Sequence, residues 1–151
     1  MEKYDIICRH FDDLTNIELY EILKARCEVF IIEQNCPYLD IDGKDIYSDH
    51  IFIMRDDGGI AACLRVFMKE DEPNTAQIGR VITTVRNAGL GRKILHAGVI
   101  HAIDVFHADE IYLEAQTYAI GYYAKEGFEV TSDEFLEDGI PHVQMRRKNY
   151  T

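Results

Sequence analysis

Apolar positions recur along this chain with two periods, and the changes of period outline its elements. Leu19, Ile22, Leu23, Cys27 and Phe30 fall at i, i+3, i+4, i+8 and i+11, which builds one stripe on a helix. Thr15-Asn16-Ile17-Glu18 has the Thr-x-x-Glu form of a capping box, so the helix begins there and runs to about Phe30 or slightly beyond, with Arg26 near the stripe. Residues 4–10 alternate loosely and predict a first strand. Residues 33–48, with Pro37, Gly43 and scattered acids, hold no period and predict a long loop of the kind that borders a site. Residues 50–54 and 60–68 are strand-like and flank Asp56-Asp57-Gly58-Gly59, hairpin chemistry that implies antiparallel pairing. A polar break at 69–74 precedes a β-branched run at 77–84, which completes a three-stranded meander.

Residues 89 to about 107 have the length of a helix, with Leu90, Ile94, Ala97, Gly98 and Val105 near one face and Gly98 admitting close packing. Beyond it the pattern predicts a short buried strand at 111–114, a short helix at 118–126 stopped by Gly127, and final strands at 128–131 and 143–147. The order β, α, loop, β, β, β, α, β, α, β, β describes an α+β (mixed α/β) fold. Its centre is a mostly antiparallel mixed sheet of about six to seven strands flanked by helices, not a doubly wound one. At 151 residues the chain suits a single domain spanning 1–151.

Charge narrows the function. Against 16 basic residues stand 27 acidic ones, a formal charge of -11, so phosphate backbones are repelled and nucleic acid is not an expected partner. The same field suits a cationic ligand, such as a small amine or a lysine side chain. No window approaches the roughly 18 to 20 apolar residues that cross a bilayer, and Met1-Glu2-Lys3-Tyr4-Asp5 lacks a signal-peptide pattern. No membrane partner and a cytoplasmic location are therefore expected. Cys8, Cys27, Cys36 and Cys63 contain no CxxC pair and are expected to be reduced, with Cys27 and Cys63 acting as small hydrophobes in apolar runs. His10, His50, His96, His101 and His107 show no HExxH or other ligand spacing, so no metal is expected.

The clearest chemistry lies at Arg86-Asn87-Ala88-Gly89-Leu90-Gly91, between a predicted strand and a predicted helix. A helix N-terminus carries N–H groups without intrahelical partners and a partial positive charge, and so favours an anion on its axis. Gly89 and Gly91 leave the backbone bare, while Arg86, Arg92 and Lys93 add cations nearby. A Walker loop needs GxxxxGK[ST], which is absent. A dinucleotide fingerprint needs a third glycine that Gly89-Leu90-Gly91-Arg92-Lys93-Ile94 lacks, although Glu114 ends the next strand as that motif's acid would. The turn alone thus leaves a diphosphate, a dinucleotide or no ligand open.

Arg86-x-x-Gly89-x-Gly91 before a long helix, followed by Tyr123-Ala124-Lys125-Glu126-Gly127-Phe128 after the next strand, resembles the GCN5-related N-acetyltransferase (GNAT) superfamily. The resemblance spans most of the chain and is strongest from Gln77 to Phe128. More narrowly, Arg26-Cys27-Glu28-Val29-Phe30, Glu33-Gln34-Asn35-Cys36-Pro37-Tyr38, Asp40-Ile41-Asp42-Gly43, Ile78-Gly79-Arg80-Val81 and Asp138-Gly139-Ile140-Pro141-His142 resemble its ElaA-type branch. Arg26-x-x-Val29-Phe30 is also loosely similar to acyl-homoserine-lactone synthases, which leaves the acyl donor open.

What the resemblance implies is acetyl-CoA as acyl donor, with its diphosphate on the amides of Arg86, Asn87, Ala88, Gly89, Leu90, Gly91 and Arg92 and its pantetheine arm along Val81, Ile82 and Thr83. The strands around Arg80 and Glu114 would splay to admit that arm, and a backbone N–H near Val81 or Ile82 would donate to the thioester carbonyl. Tyr123 matches the general acid, a phenol protonated at neutral pH with a reference pKa of about 10. Adjacent Tyr122, about 100° away on a helix, would face elsewhere. Glu33 and His142 are the candidate general bases. Arg26, Arg80 and Glu114 are assigned to the acceptor side, the arginines there or in structural ion pairs, since a guanidinium is no base near neutrality. A non-catalytic CoA-binding module is the competing expectation, and a homodimer is left open.

Overall fold

The computed structural model describes residues 4–35 and 38–149, so Cys36 and Pro37 lie outside the described residues. Helix α1 (Asn16–Arg26) starts on the expected capping box: the Glu18 N–H donates to Thr15 Oγ1 at 3.0 Å, and the Thr15 N–H donates to Glu18 Oε1 at 2.9 Å. Past Arg26 the helix continues as a π-helical segment, Cys27–Glu33. The sequence reading of the stripe is corrected within α1 itself: Cys27 is exposed, and the face turned to the sheet carries Ile22, Ala25 and Arg26.

Among the described residues, eight strands form one sheet: β1 (Ile7–His10), β2 (Asp49–Met54), β3 (Ile60–Met68), β4 (Thr75–Thr83), β5 (Glu110–Gln116), β6 (Glu129–Val130), β7 (Phe135–Glu137) and β8 (Ile140–Lys148). Their order is β1-β2-β3-β4-β5-β8-β6, with β7 also paired to β8. Among the described strands, only β4 and β5 run parallel. This is one strand more than the pattern predicted. The missed strand, β7, turns into β8 through Asp138 (φ 51°) and Gly139 (φ 77°), an Asp-Gly pair with two positive φ values that suits a tight hairpin.

β3 is buried along nearly its whole length because both faces are covered. On one face Ile22 and Ala25 of α1 pack with Phe52, Ile60, Cys63 and Ile82. On the other, Ile94 and Val99 of α2 (Leu90–Asp104) pack with Leu64, Val66 and Ile78. Gly98 lets α2 approach closely, since a Cβ there would stand 2.9 Å from Leu64 Cδ2.

Two backbone features open the sheet. β4 and β5 pair only from Thr75↔Glu110 to Gln77↔Tyr112, and then separate. Just beyond, β4 bulges against β3, where Arg65 faces Gly79 but Cys63 faces Ile82. Arg80 sits in that bulge at φ 53°, a left-handed conformation that a non-glycine residue adopts at a cost of about 1 kcal/mol or more.

Candidate functional site

The gap between β4 and β5 is a cavity of about 900 Å³. Its walls are the β4 segment Gln77–Thr83 and, from β5, Leu113, Glu114 and Gln116. The π-helical segment adds Val29, Phe30 and Glu33, and the following loop adds Tyr38, Leu39, Asp42 and Lys44. Tyr122 and Tyr123 of the short helix α3 (Ile120–Ala124) lie on its far side with Glu137 and His142. Val81, Ile82, Thr83, Arg80, Arg86, Gly91, Glu114, Tyr123, Glu33 and His142 are thus brought to one cavity. The splaying expected around Arg80 and Glu114 is present.

At one end stands the N-terminus of α2. Its N-cap Gly89 (φ 70°) supplies no capping side chain, and Asn87 also has positive φ (60°). The first intrahelical bond is from the Lys93 N–H to Gly89 O, so the N–H groups of the first turn keep their anion-binding capacity. A Cβ on Gly91 would meet Tyr122 and Thr83 at 3.5 to 3.7 Å, ordinary contact distances, so internal packing does not require a glycine there. The bare backbone faces the cavity, where an oxygen can approach it. Leu90 is buried in the core beneath, while Arg86, Asn87, Ala88 and Arg92 are exposed around the turn. Lys93 is not part of this cluster: its ammonium donates to Tyr4 O at 2.6 Å.

Tyr122 does not face elsewhere. Its hydroxyl donates to Gly91 O, and its ring meets that of Tyr123 edge-on at 4.8 Å. Because α3 is barely longer than one turn and lies against the start of α2, adjacent side chains can both border the gap. Tyr123 is also braced by Phe128 at 6.2 Å. Burial, and then the neighbouring Tyr118, push the Tyr123 phenol well above its ordinary pKa, so it is held protonated.

Arg26 lies outside the cavity wall. It is 1% exposed, with Nε 2.9 Å from Asp40 Oδ2 and Nη1 2.7 Å from Asp45 Oδ1. Arg65 joins Asp42 (2.6 Å) and Asp45 (3.2 Å), and Arg80 joins Asp40 (2.8 Å) and Asp42 (3.3 Å). Three arginines and three aspartates therefore interlock. Burial raises the pKa of Asp42 and Asp45, but the hydrogen bonds and charges of the arginines outweigh it, holding Asp42 well below the usual carboxylate range and lowering Asp45. Of the two places expected for Arg26, the structure shows the buried ion pair and corrects the acceptor-side one, whereas Arg80 belongs both to the network and to the wall. Sequence separation hid this network: Arg26 is 14 and 19 residues from its partners.

The two candidate bases are placed differently. Glu33 is near the turn, with Oε2 3.7 Å from Arg86 Nη2. His142 is buried, stacked on Phe135 at 6.0 Å, and its Nδ1 lies 2.7 Å from Ile140 O. A carbonyl only accepts, so Nδ1 carries the proton and Nε2 faces Glu137 Oε2 at 3.4 Å. Glu137, which the sequence reading passed over, contacts Glu114, whose Oε2 accepts from Tyr112 at 2.9 Å. Among the described residues, no group of three or more His, Cys, Asp or Glu side chains could hold a metal ion.

A family model described as an acetyltransferase (GNAT) domain matches residues 30–149. Protein ElaA of Escherichia coli is 34% identical over 143 residues, covering 92% of this chain and 93% of its own. The crystal structure of that ElaA superposes with a TM-score of 0.89 at 32% identity, covering 96% of this chain and 99% of the other. An acyl-CoA N-acyltransferase from Pseudomonas aeruginosa superposes with a TM-score of 0.87 at 37% identity, covering 95% and 99%. The AHL synthase LasI, at 15% identity and a TM-score of 0.76 over 96% and 89%, shares the fold alone. On the family match and these relatives, the chain belongs to the GNAT acetyltransferase family and is an ElaA-like member of it.

Proposed function

We propose that this protein is an acetyl-CoA-dependent N-acetyltransferase that moves an acetyl group from the CoA thioester to a primary amine of a small molecule or peptide. The observation that carries the reading is the uncapped α2 N-terminus with its bare Gly91, which opens into the same cavity as Tyr123. The first-turn amides and Arg86 suit a diphosphate, and the β4 edge at Val81, Ile82 and Thr83, freed from β5, suits an extended amide-bearing arm. The donor supplies an activated acyl group. Tyr123, held protonated, supplies the proton that the departing thiolate takes up. Arg80 and Glu114 border the acceptor side, and Glu33 and His142 are the proton acceptors expected from sequence. No described helix is long and apolar enough to cross a membrane, and the reading is of a cytoplasmic enzyme.

Calorimetry with acetyl-CoA on the wild type and on Gly89→Asp tests the cradle, because an added carboxylate at that turn repels a diphosphate. Equal affinity for the two proteins would remove the turn from donor binding. Thiol release against a panel of primary amines, repeated with Tyr123→Phe, tests the chemistry. Turnover is expected to fall by roughly 100-fold, the usual scale of a lost general acid. Acetyl-CoA binding without thiol release from any amine would instead make the protein a CoA-binding module.

A further inference from the structure

Each of the two bases nominated by sequence has a competing partner. Glu33 faces Arg86 at the donor end. His142 donates through Nδ1 to Ile140 O, and its remaining nitrogen faces a carboxyl at 3.4 Å. That carboxyl belongs to Glu137, whose side chain is 43% exposed and lines the cavity. We propose that Glu137 takes the proton from the ammonium of the acceptor, with Glu114 and His142 as its positioning residues. The proposal rests on the acyl-transfer reading above.

The geometry favours Glu137 for three reasons. β7 and β8 hold it at the hairpin end, where Glu137 pairs with Ile140, so its backbone is fixed. The groups acting on its carboxyl are Glu114 from β5, His142 from β8 and Asp138 from the hairpin turn, with Tyr112 behind Glu114. None of these is an arginine or a lysine, so no fixed cation among them holds the Glu137 carboxylate ionised. Burial, and then the Glu114 carboxylate, push Glu137 above the ordinary glutamate range, towards the pH at which a base both accepts and releases a proton efficiently.

In the step itself, an N–H bond of the ammonium breaks and leaves its electron pair on nitrogen as the attacking lone pair. An O–H bond forms on Glu137. Being half exposed, the carboxyl passes this proton to water and returns to its starting charge. The second amine proton leaves when the amide forms, and it balances the proton that Tyr123 gives to the thiolate.

The test is thiol release from acetyl-CoA with an accepted amine, followed across pH for the wild type, Glu137→Gln and Glu114→Gln. Circular dichroism and acetyl-CoA calorimetry report folding. Glu137→Gln is expected to lose roughly 100-fold in kcat with unchanged acetyl-CoA affinity. Removing the neighbouring charge in Glu114→Gln lowers the proton affinity of Glu137, so the acid limb of kcat/KM should move to lower pH, a shift that a merely structural role would not produce. Turnover of Glu137→Gln within threefold of wild type overturns the proposal, as does an acid limb that stays put or moves up in Glu114→Gln. If Glu137→Gln does not fold, the limb in Glu114→Gln decides. Absence of thiol release from wild type with every amine overturns the acyl-transfer reading itself, a result distinct from an active wild type with an indifferent Glu137.

Discussion

Arg26→Met removes a guanidinium and keeps most of the side-chain volume, so it isolates the charge at the centre of the buried network. The wild-type group holds Asp40 at 2.9 Å and Asp45 at 2.7 Å while 1% exposed. Breaking a buried ion pair by removing one partner costs about 3 to 5 kcal/mol, because the other charge is left uncompensated. Here each aspartate keeps one arginine, Arg80 on Asp40 at 2.8 Å and Arg65 on Asp45 at 3.2 Å, so the lower end, about 3 kcal/mol, is expected. For a chain of this size that corresponds to a fall in Tm of about 6 to 12 °C. Equilibrium urea unfolding at pH 7 measures the loss directly.

The sign with pH follows from Asp45, whose folded-state pKa is depressed by hydrogen bonds and charge from Arg26 and Arg65 that outweigh its burial. Such a group stabilises the fold fully above its unfolded pKa of about 3.9, and the contribution is lost as pH falls through the folded value. The gap between wild type and variant should therefore be full above about pH 4 to 5 and narrow below it. A loss under about 1 kcal/mol at pH 7, or a gap that does not narrow in acid, would refute the network's role.

Four further outcomes are expected. Gly91→Ala should fold with equal or slightly greater stability, by up to about 1 kcal/mol from helix propensity, yet bind acetyl-CoA at least roughly 10-fold more weakly by calorimetry, because its methyl would sit beside Tyr122 and Thr83 in the cavity wall and cover the bare backbone. Gly98→Ala should lose about 1 kcal/mol in urea unfolding, since a Cβ 2.9 Å from Leu64 Cδ2 and 3.3 Å from Ile78 Cδ1 pushes both buried side chains aside, which outweighs the same propensity gain. Arg80→Gly should be more stable than Arg80→Ala by about 1 kcal/mol in thermal melts, the reverse of the usual strand order, because only glycine relieves the positive φ of 53°. Native alkylation at pH 8 read by mass spectrometry should modify exposed Cys8 and Cys27 and spare Cys63, whose thiol is buried and pushed up to about 12, until urea is added.

Local rules carried far along this chain. The Thr15–Glu18 capping box, the Asp56-Asp57-Gly58-Gly59 hairpin and the glycine turn before α2 are each set by residues within a few positions of one another, and each forms as the local chemistry dictates. What escaped depended on partners far off in sequence or on backbone changes that leave no period. The π-helical segment Cys27–Glu33 follows α1 without a breaker residue, and the buried face of α1 holds Arg26, a polar residue that a reading of apolar positions passes over in favour of Cys27. The Arg80 bulge has only Gly79 beside it as a hint. β7 is three residues long and ends in a glutamate, too short for alternation to register, yet the Asp138-Gly139 pair after it was a readable turn signal. With β7 missed, Glu137 went unnoticed as a neighbour of His142 and Glu114.

The buried network and the cavity are parts of one mechanical arrangement. Arg26 fixes Asp40 and Asp45 from beneath, and Asp40 in turn holds Arg80 within the β4 bulge. The bulge lies just past the last β4–β5 pair, so it favours the separation that opens the cavity. Tyr38, Leu39, Asp42 and Lys44, in the loop that carries the three aspartates, form the opposite wall. An arginine with no place in the wall is therefore linked through Asp40 to Arg80, which is in it. Relaxing the network loosens the loop and the bulge together, which is why a stability variant such as Arg26→Met should also weaken acetyl-CoA binding although Arg26 touches no part of the donor path.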